Sequence, residues 1–473
     1  MVRPSKYCLK SVNLPDIGYP QEPRPGLPDS VFRDRLAEVR RRMAGLRLDA
    51  LVVYGDREHY ANLQYLTNYD PRFEEALLVV LPEGRPTLFV GNEGMGYSTI
   101  ARLDVRRCLY QPFSLLGQPR DKLVALDALL REGGIAGCSR VGEAGWKYFS
   151  EAEFPNAQEC LDLPDYIASS LRRAAKPGAE VSNQGAMFMD PVTGLRNTHE
   201  PEQLADFEWV STCNSQALLD GIRSLRPGMT EHEAFASMRY NGLALCCHPV
   251  CSSGELFTRH GMASPSSRRI GLGDPIPMTM SYQGANTCRF GWVGADADDL
   301  PAEVSDYVAV VASPYAEALA TWYGTLRIGA TGDELHHAVA DSLTPLGFHL
   351  ALNVGHQIAA DEWTHTLSAA GSSQQVVSGM YWQADIFPTL RTAHYGAFAE
   401  DGVAVADSHL RADLARRYPA MWERIEARRR FLTHELGFDV SDELLPFSNI
   451  QAAVMPFILS PNSCLVRADE GRE

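Results

Sequence analysis

Two stretches of this chain carry the same helix punctuation a fixed distance apart, and that repeat limits the possible fold more than any other feature. Ala217-Leu218-Leu219, Leu225-Arg226-Pro227-Gly228-Met229-Thr230 and Glu233 reappear as Ala318-Leu319-Ala320, Leu326-Arg327-Ile328-Gly329-Ala330-Thr331 and Glu334, every pair offset by 101 positions. In each copy a glycine can end one helix, and a threonine three residues before a glutamate can open the next as a capping box. One copy is ordinary punctuation. Two in fixed register predict a duplicated half-domain.

The repeat occupies only part of 473 residues, a length that predicts two domains. Residues 1–30 hold six prolines and little periodicity, which reads as an extended arm. Helical spacing from Val31 to Ala44 meets Gly45 as a C-cap. Apolar runs at Ala50–Tyr54, Ala76–Val80 and Pro86–Val90 read as buried strands, and Asp121–Arg131 as a helix. Strands alternating with helices predict an α/β layer domain over 31–190. A polar Gly- and Pro-bearing segment, Lys176–Thr198, then leads to an amphipathic stretch, Glu200–Ser224, that opens the larger domain, 191–473.

A net charge of −16 repels phosphate backbones and anionic lipid, which excludes nucleic acid and a membrane surface as partners. The basic run Arg428-Arg429-Arg430 follows Glu423 and Glu426 in helical spacing and reads as a solvated helix face. Ten scattered cysteines without paired spacing point to a reducing compartment. Met1–Tyr19 lacks the apolar core of a signal peptide, and no run approaches the ~20 apolar residues of a membrane span, so the expected location is cytoplasmic.

Four motifs, taken in order, bring a family into view: Leu225-Arg226-Pro227-Gly228-Met229-Thr230-Glu231; His260-Gly261 followed by Gly273-Asp274; Gly355-His356; and Gly379-Met380 leading to Asp385 and Ala399-Glu400-Asp401-Gly402. In these the chain resembles the superfamily of methionine aminopeptidase, Xaa-Pro aminopeptidase, prolidase and creatinase. The resemblance implies an α/β N-terminal domain followed by an α+β "pita-bread" domain, and a homodimer whose first domain reaches the partner's cleft.

Metallopeptidases of that family hold two divalent cations with two Asp, one His and two Glu. Here the region Pro275–Phe290, where both aspartates belong, contains no acid at all; Thr279 and Asn286 stand at the two positions. Without those charges a two-ion centre is not expected, and no cofactor is. A single divalent ion at His356, Asp385 and Glu400 is the second reading.

The family's metal-free member, creatinase, implies a different use of the site. His260 matches its proton-shuttling histidine, a role suited to imidazole. Asp385 and Glu400 match the C-terminal carboxylates, which can orient a cation or donate a proton. His356 completes the catalytic candidates, although Trp363 replaces the second histidine expected after it, with His365 two places on as a candidate for substrate binding. Arg289, structural in the family, is a candidate for binding a substrate carboxylate once its neighbouring acids are gone. Arg72, with Phe73, falls near the loop that in creatinase enters the partner's active site. The expected activity is a metal-independent hydrolase or lyase acting on a C–N bond of a small nitrogenous compound. A degenerate Xaa-Pro peptidase and a non-catalytic binding protein are the alternatives.

Overall fold

The computed structural model describes residues 6–468, so part of the Met1–Tyr19 reading lies outside the described residues. The chain divides into two compact units. One runs from Leu27 to Arg196; the other joins the segment up to Gly26 to everything from Asn197 onward.

The Leu27–Arg196 unit is built on a six-stranded sheet in the order Arg106–Leu109, Thr87–Val90, Ala76–Val80, Ala50–Gly55, Arg140–Ala144, Glu180–Asn183. Ala76–Val80 runs antiparallel to both neighbours, and the other pairings are parallel. Its central strands are continuous apolar runs because helices cover both faces. Phe32, Val39 and Met43 of helix Asp29–Leu46 fill one side, while Leu126, Leu130, Ile167 and Leu171 of two later helices fill the other.

Two helix boundaries differ from expectation. The first helix passes through Gly45 and stops at Arg47, which takes the left-handed conformation at φ 57°. Arg47 N–H returns to Ala44 O and Leu48 N–H to Met43 O, so a Schellman closure forms on a non-glycine residue. The helix read over Asp121–Arg131 is confined to Leu126–Glu132, because Gln111 bonds Asp121 and the Lys122 N–H and holds that segment as a turn.

In the other unit the N-terminal segment is no free arm. Tyr7–Ser11 pairs antiparallel with Ser463–Arg467, Arg24 forks onto Asp206 at 2.7 Å through two nitrogens, and Asn449 donates to Gly18 O. The prolines prevent helix formation but leave room for one edge strand.

The duplication is visible in three dimensions. Two antiparallel four-stranded sheets form. The first is ordered Ala399–Glu400, Ala285–Trp292, Pro275–Tyr282, Val250–Cys251. The second is ordered His356–Gln357, Tyr381–Gln383, Gly402–Val405, Leu444–Pro446. Each repeat copy makes the same joint. The helices Pro201–Ser224 and Ser313–Thr325 end at Leu225 and Leu326. Gly228 and Gly329 then turn at φ 91° and 85°, and their N–H groups reach Ile270 O and Val376 O. Thr230 with Glu233, and Thr331 with Glu334, close complete capping boxes on the following helices.

Helix Pro201–Ser224 is buried along most of its length against the strands Pro275–Tyr282 and Ala285–Trp292. Its Glu208 is fully buried between Arg424 and Arg428, with Arg428 also bonded to Thr212 and Asn449. The basic run is therefore the solvated face its spacing suggested only at Arg430, which is exposed. Arg428 lies at 0 % exposure, and Arg429 donates to Ser441 O and Leu444 O. No helix among the described residues is long and apolar enough to cross a membrane, and no disulfide joins cysteines among the described residues.

Candidate active site

The first sheet of the larger unit presents one polar row to the site. Thr279 lies opposite Cys288, and Cys288 opposite Glu400, across three adjacent strands; Ser281 and Asn286 form the next pair on the same face, two residues along each strand. Side-chain bonds follow this register. Thr279 Oγ1 meets Cys288 Sγ at 2.6 Å, and Ser281 Oγ donates to Asn286 Oδ1. Asn286 Nδ2 donates to Glu400 Oε1 at 2.9 Å. The two positions where the family's aspartates belong thus carry neutral groups, and one of them, Asn286, binds the Glu400 carboxylate.

The second sheet supplies the histidine. His356 is fully buried opposite Gln383, at the start of a loop closed by Gln357 N–H to His365 O at 2.7 Å and Thr364 N–H to Gln357 O at 2.9 Å. This closure folds Glu362 back over the ring, placing Oε1 3.1 Å from His356 Nε2, with Asp385 Oδ2 3.9 Å away. Trp363 stacks on the imidazole at 3.9 Å between centroids, so the residue replacing the second histidine fixes the ring plane. His356 Nδ1 sits 3.2 Å from Gln357 O; as the donor there, it leaves the Nε2 lone pair aimed at the carboxylates. Despite its proximity to Glu362, Nε2 has no hydrogen bond among the described residues.

Asp385 follows the strand Tyr381–Gln383, and its carbonyl accepts from Gly355 N–H. Gly355 is required there: φ is 84°, and a Cβ would come within 2.6 Å of the Trp322 ring.

Three carboxylates therefore converge with no Lys or Arg among the described residues paired to them. Burial, with Asp385 and Glu362 nearby, pushes the Glu400 carboxyl well above the usual range. Burial also raises Asp385, reinforced by Glu362 and opposed by His356. For His356, burial disfavours the imidazolium, but Glu362 and Asp385 outweigh it and the pKa rises.

The structure sorts the remaining candidates. Arg289 is a correction: its guanidinium is buried, 2.7 Å from Asp401, and bonded to the Cys288, Glu400 and Ile450 carbonyls. Those contacts make it a structural link between strands and leave no open fork for a substrate carboxylate. His365 sits where the His356 loop closes, and its Nδ1 accepts from Thr366 N–H. His260 is the exposed last residue of helix Gly254–His260 and shares no hydrogen bond or ion pair with the carboxylates among the described residues.

Arg72 and Phe73 belong to the Leu27–Arg196 unit. Arg72 adopts φ 57° with its guanidinium 4.3 Å over Tyr97, and Phe73 is exposed. Glu362 was missed by the sequence reading. Its only signal was an acid six residues after the Gly355-His356 motif, in a segment whose closure depends on backbone pairing.

The fold defines the class: an α/β N-terminal domain followed by a pita-bread domain. Residues 35–142 match the Creatinase/Prolidase N-terminal domain family. The fold is similar to that of the prolidase from Pyrococcus horikoshii OT3, at 15% identity over 79% of this chain and 95% of that one, TM-score 0.60. It is also similar to the Xaa-Pro dipeptidase from Bacillus anthracis, at 16% identity over 80% and 96%, TM-score 0.58. The X-Pro aminopeptidase from Thermotoga maritima MSB8 matches at 14% over 79% and 95%, TM-score 0.57. No curated protein matches in sequence. The family match is confined to residues 35–142, and the chain as a whole shares the fold of these pita-bread proteins.

Against the five-ligand set implied by the resemblance, the residues present do not fit two ions. Thr279 and Asn286 offer no charge, and the Asn286 amide directs a donor at Glu400.

Proposed function

We propose that the chain is a hydrolase that breaks a C–N bond in a small nitrogenous compound, working without a two-ion centre. The observation that carries this reading is the convergence of Asp385, Glu362 and Glu400 on the buried Nε2 of His356, beside the neutral side chains of Thr279, Ser281 and Asn286. Such a cluster favours a cation. In its absence Asp385 and Glu400 hold their protons more tightly than ordinary carboxyls, because burial and neighbouring negative charge disfavour their ionised forms.

A substrate bearing an amidinium, guanidinium or ammonium group would satisfy that preference, with the carboxylates fixing its orientation and a protonated carboxyl available to the departing nitrogen. His260, exposed in the unliganded protein, would serve as the proton shuttle only if substrate binding brings it against the scissile bond. A homodimer in which Arg72 and Phe73 complete the partner's cleft belongs to the same proposal.

Xaa-Pro dipeptides are the second substrate class, favoured by the names of the solved neighbours, prolidase and Xaa-Pro dipeptidase. The test is a panel of guanidino, amidino and proline-containing compounds, incubated with and without chelator and followed by release of amine, urea or proline. Turnover of one class, lost in Asp385→Asn, is expected. No turnover of any member, with the protein folded, would refute hydrolysis and leave a binding function.

A further inference from the structure

We propose that the larger unit carries a site for a small dianion, bearing phosphate or dicarboxylate groups, in the groove between its N-terminal strand and the turn that ends helix Pro419–Arg430. None of its residues belongs to the His356 pocket. The starting point is the run Arg428-Arg429-Arg430. Glu208 holds Arg428 in the core, and Asp442 with the Ser441 and Leu444 carbonyls holds Arg429. Arg430 is exposed and shares no ion pair among the described residues.

The backbone shapes the groove. Helix Pro419–Arg430 passes into a π turn, Phe431–Glu435, in which Phe431 O accepts Leu436 N–H five residues on. Such turns are rare and occur mostly at functional positions. Beside this one lies the ribbon of Tyr7–Ser11 paired with Ser463–Arg467, tied to it by Arg467 N–H on Leu436 O. Between ribbon and turn lie a cavity of about 560 Å³ and another of about 210 Å³, which share His434 and Glu435 in their walls. The larger has the volume of a metabolite pocket. Gly437 permits the close approach: φ is 72°, and a Cβ would stand 2.8 Å from Arg467 Cβ.

Charge selects the ligand class. Lys10, Arg430 and Arg467, each from a different element, line the two cavities together with His434. The one acid in these walls, Glu435, accepts from Asn13 N–H at 3.2 Å. Among the described residues Arg430, His434 and Arg467 have no carboxylate partner. Arg430 offsets the dipole of its own helix, which accounts for one of these charges but not for those on the two strands. In a chain of net charge −16, three cations facing one acid invert the local sign. The net charge repels an extended polyanion, whereas a small anion in the groove responds mainly to charges within a Debye length of about 8 Å. Guanidinium groups match the paired oxygens of phosphate and carboxylate, and His434 adds an N–H donor where the cavities meet.

The test is calorimetric titration of the full chain with inorganic phosphate and, separately, with succinate at constant ionic strength, together with hydrogen exchange in the presence and absence of each. One site per chain is expected for at least one of the two, with slowed exchange in peptides covering residues 10–13 and Phe431–Glu435. Binding of phosphate alone would identify a phosphate ligand and of succinate alone a dicarboxylate; either result sustains the proposal. Arg430→Gln should weaken binding on the order of 10-fold or more, the worth of a hydrogen bond between charged groups, and Arg430→Lys by less. Arg430 is exposed, so both variants should keep the wild-type circular dichroism. Arg172→Gln removes the same charge from an exposed position of the Leu27–Arg196 unit and should bind as the wild type does. No saturable binding of either dianion, unchanged affinity in Arg430→Gln, an equal loss in Arg172→Gln, or slowed exchange confined to other segments would overturn the proposal.

Discussion

Glu143 should make the Leu27–Arg196 unit less stable as pH rises through neutrality. It lies in the strand Arg140–Ala144 with no exposed surface; one carboxyl oxygen accepts from Asp162 N–H at 3.0 Å and the other has no partner among the described residues. Burial, with a smaller contribution from the Asp162 charge, raises its pKa from an ordinary 4.5 to about 8. Because the folded state holds the proton more tightly than the unfolded chain, its contribution is full below pH ~4.5 and is lost as pH rises towards 8. The shift corresponds to roughly 5 kcal/mol in all, of which about 2.5 kcal/mol falls between pH 5.5 and 7.5. The perturbation is Glu143→Gln, which keeps the shape and the acceptor but cannot ionise. The assay is hydrogen exchange in urea at the two pH values, corrected for intrinsic rates and read on peptides covering Arg140–Ala144. Wild type minus variant should change by about 2.5 kcal/mol between them, since every other titrating group is common to both. Parallel pH profiles would show that Glu143 ionises in place, and the burial argument would fail.

Removing the charge of Arg428 should destabilise the larger unit by about 3–5 kcal/mol, because Glu208 would lose a partner inside the core; urea denaturation of Arg428→Ala measures it, and a loss under about 1 kcal/mol would show the pair is expendable. Asn286→Asp places a new carboxylate where the amide now donates to Glu400, so the chelator-stripped variant should melt lower than wild type and recover when Mn²⁺ is added. Equal melting with and without the ion would place residue 286 outside the cluster's field. Sedimentation should give a dimer, and a fully active monomer would remove Arg72 and Phe73 from the site.

The duplicated domain was legible because its signal is local. A left-handed turn that favours glycine and a threonine–glutamate capping box are each determined within a few residues, so Gly228 with Thr230 and Gly329 with Thr331 could be read as pairs before any contact was known. The strand cores at Ala50–Gly55 and Ala76–Val80 were legible for a similar reason, since a strand buried on both faces is an uninterrupted apolar run. What failed depended on partners distant in sequence. Arg428 has the helical spacing of a surface residue, but Glu208, 220 positions earlier, and Thr212 bind it in the core. Residues 7–11 are proline-flanked and become a strand only because Ser463–Arg467 lies beside them.

The site divides along the same line. Counting from motifs located His356, Asp385 and Glu400, which the fold brings together, and exposed the missing acids at Thr279 and Asn286. It could not weigh what replaced them. Glu362 belongs to no periodic pattern: it reaches the histidine because the loop from Gln357 to His365 closes on itself through two backbone bonds and Trp363 stacks beneath the ring. The expectation of a metal-free pocket rested on carboxylates absent from two strands, whereas the local charge depends on every acid within reach. With Glu362 included, the pocket carries three carboxylates against one histidine, with no Lys or Arg among the described residues paired to them, so the choice is between an ion and a cationic substrate, and stoichiometric titration decides it.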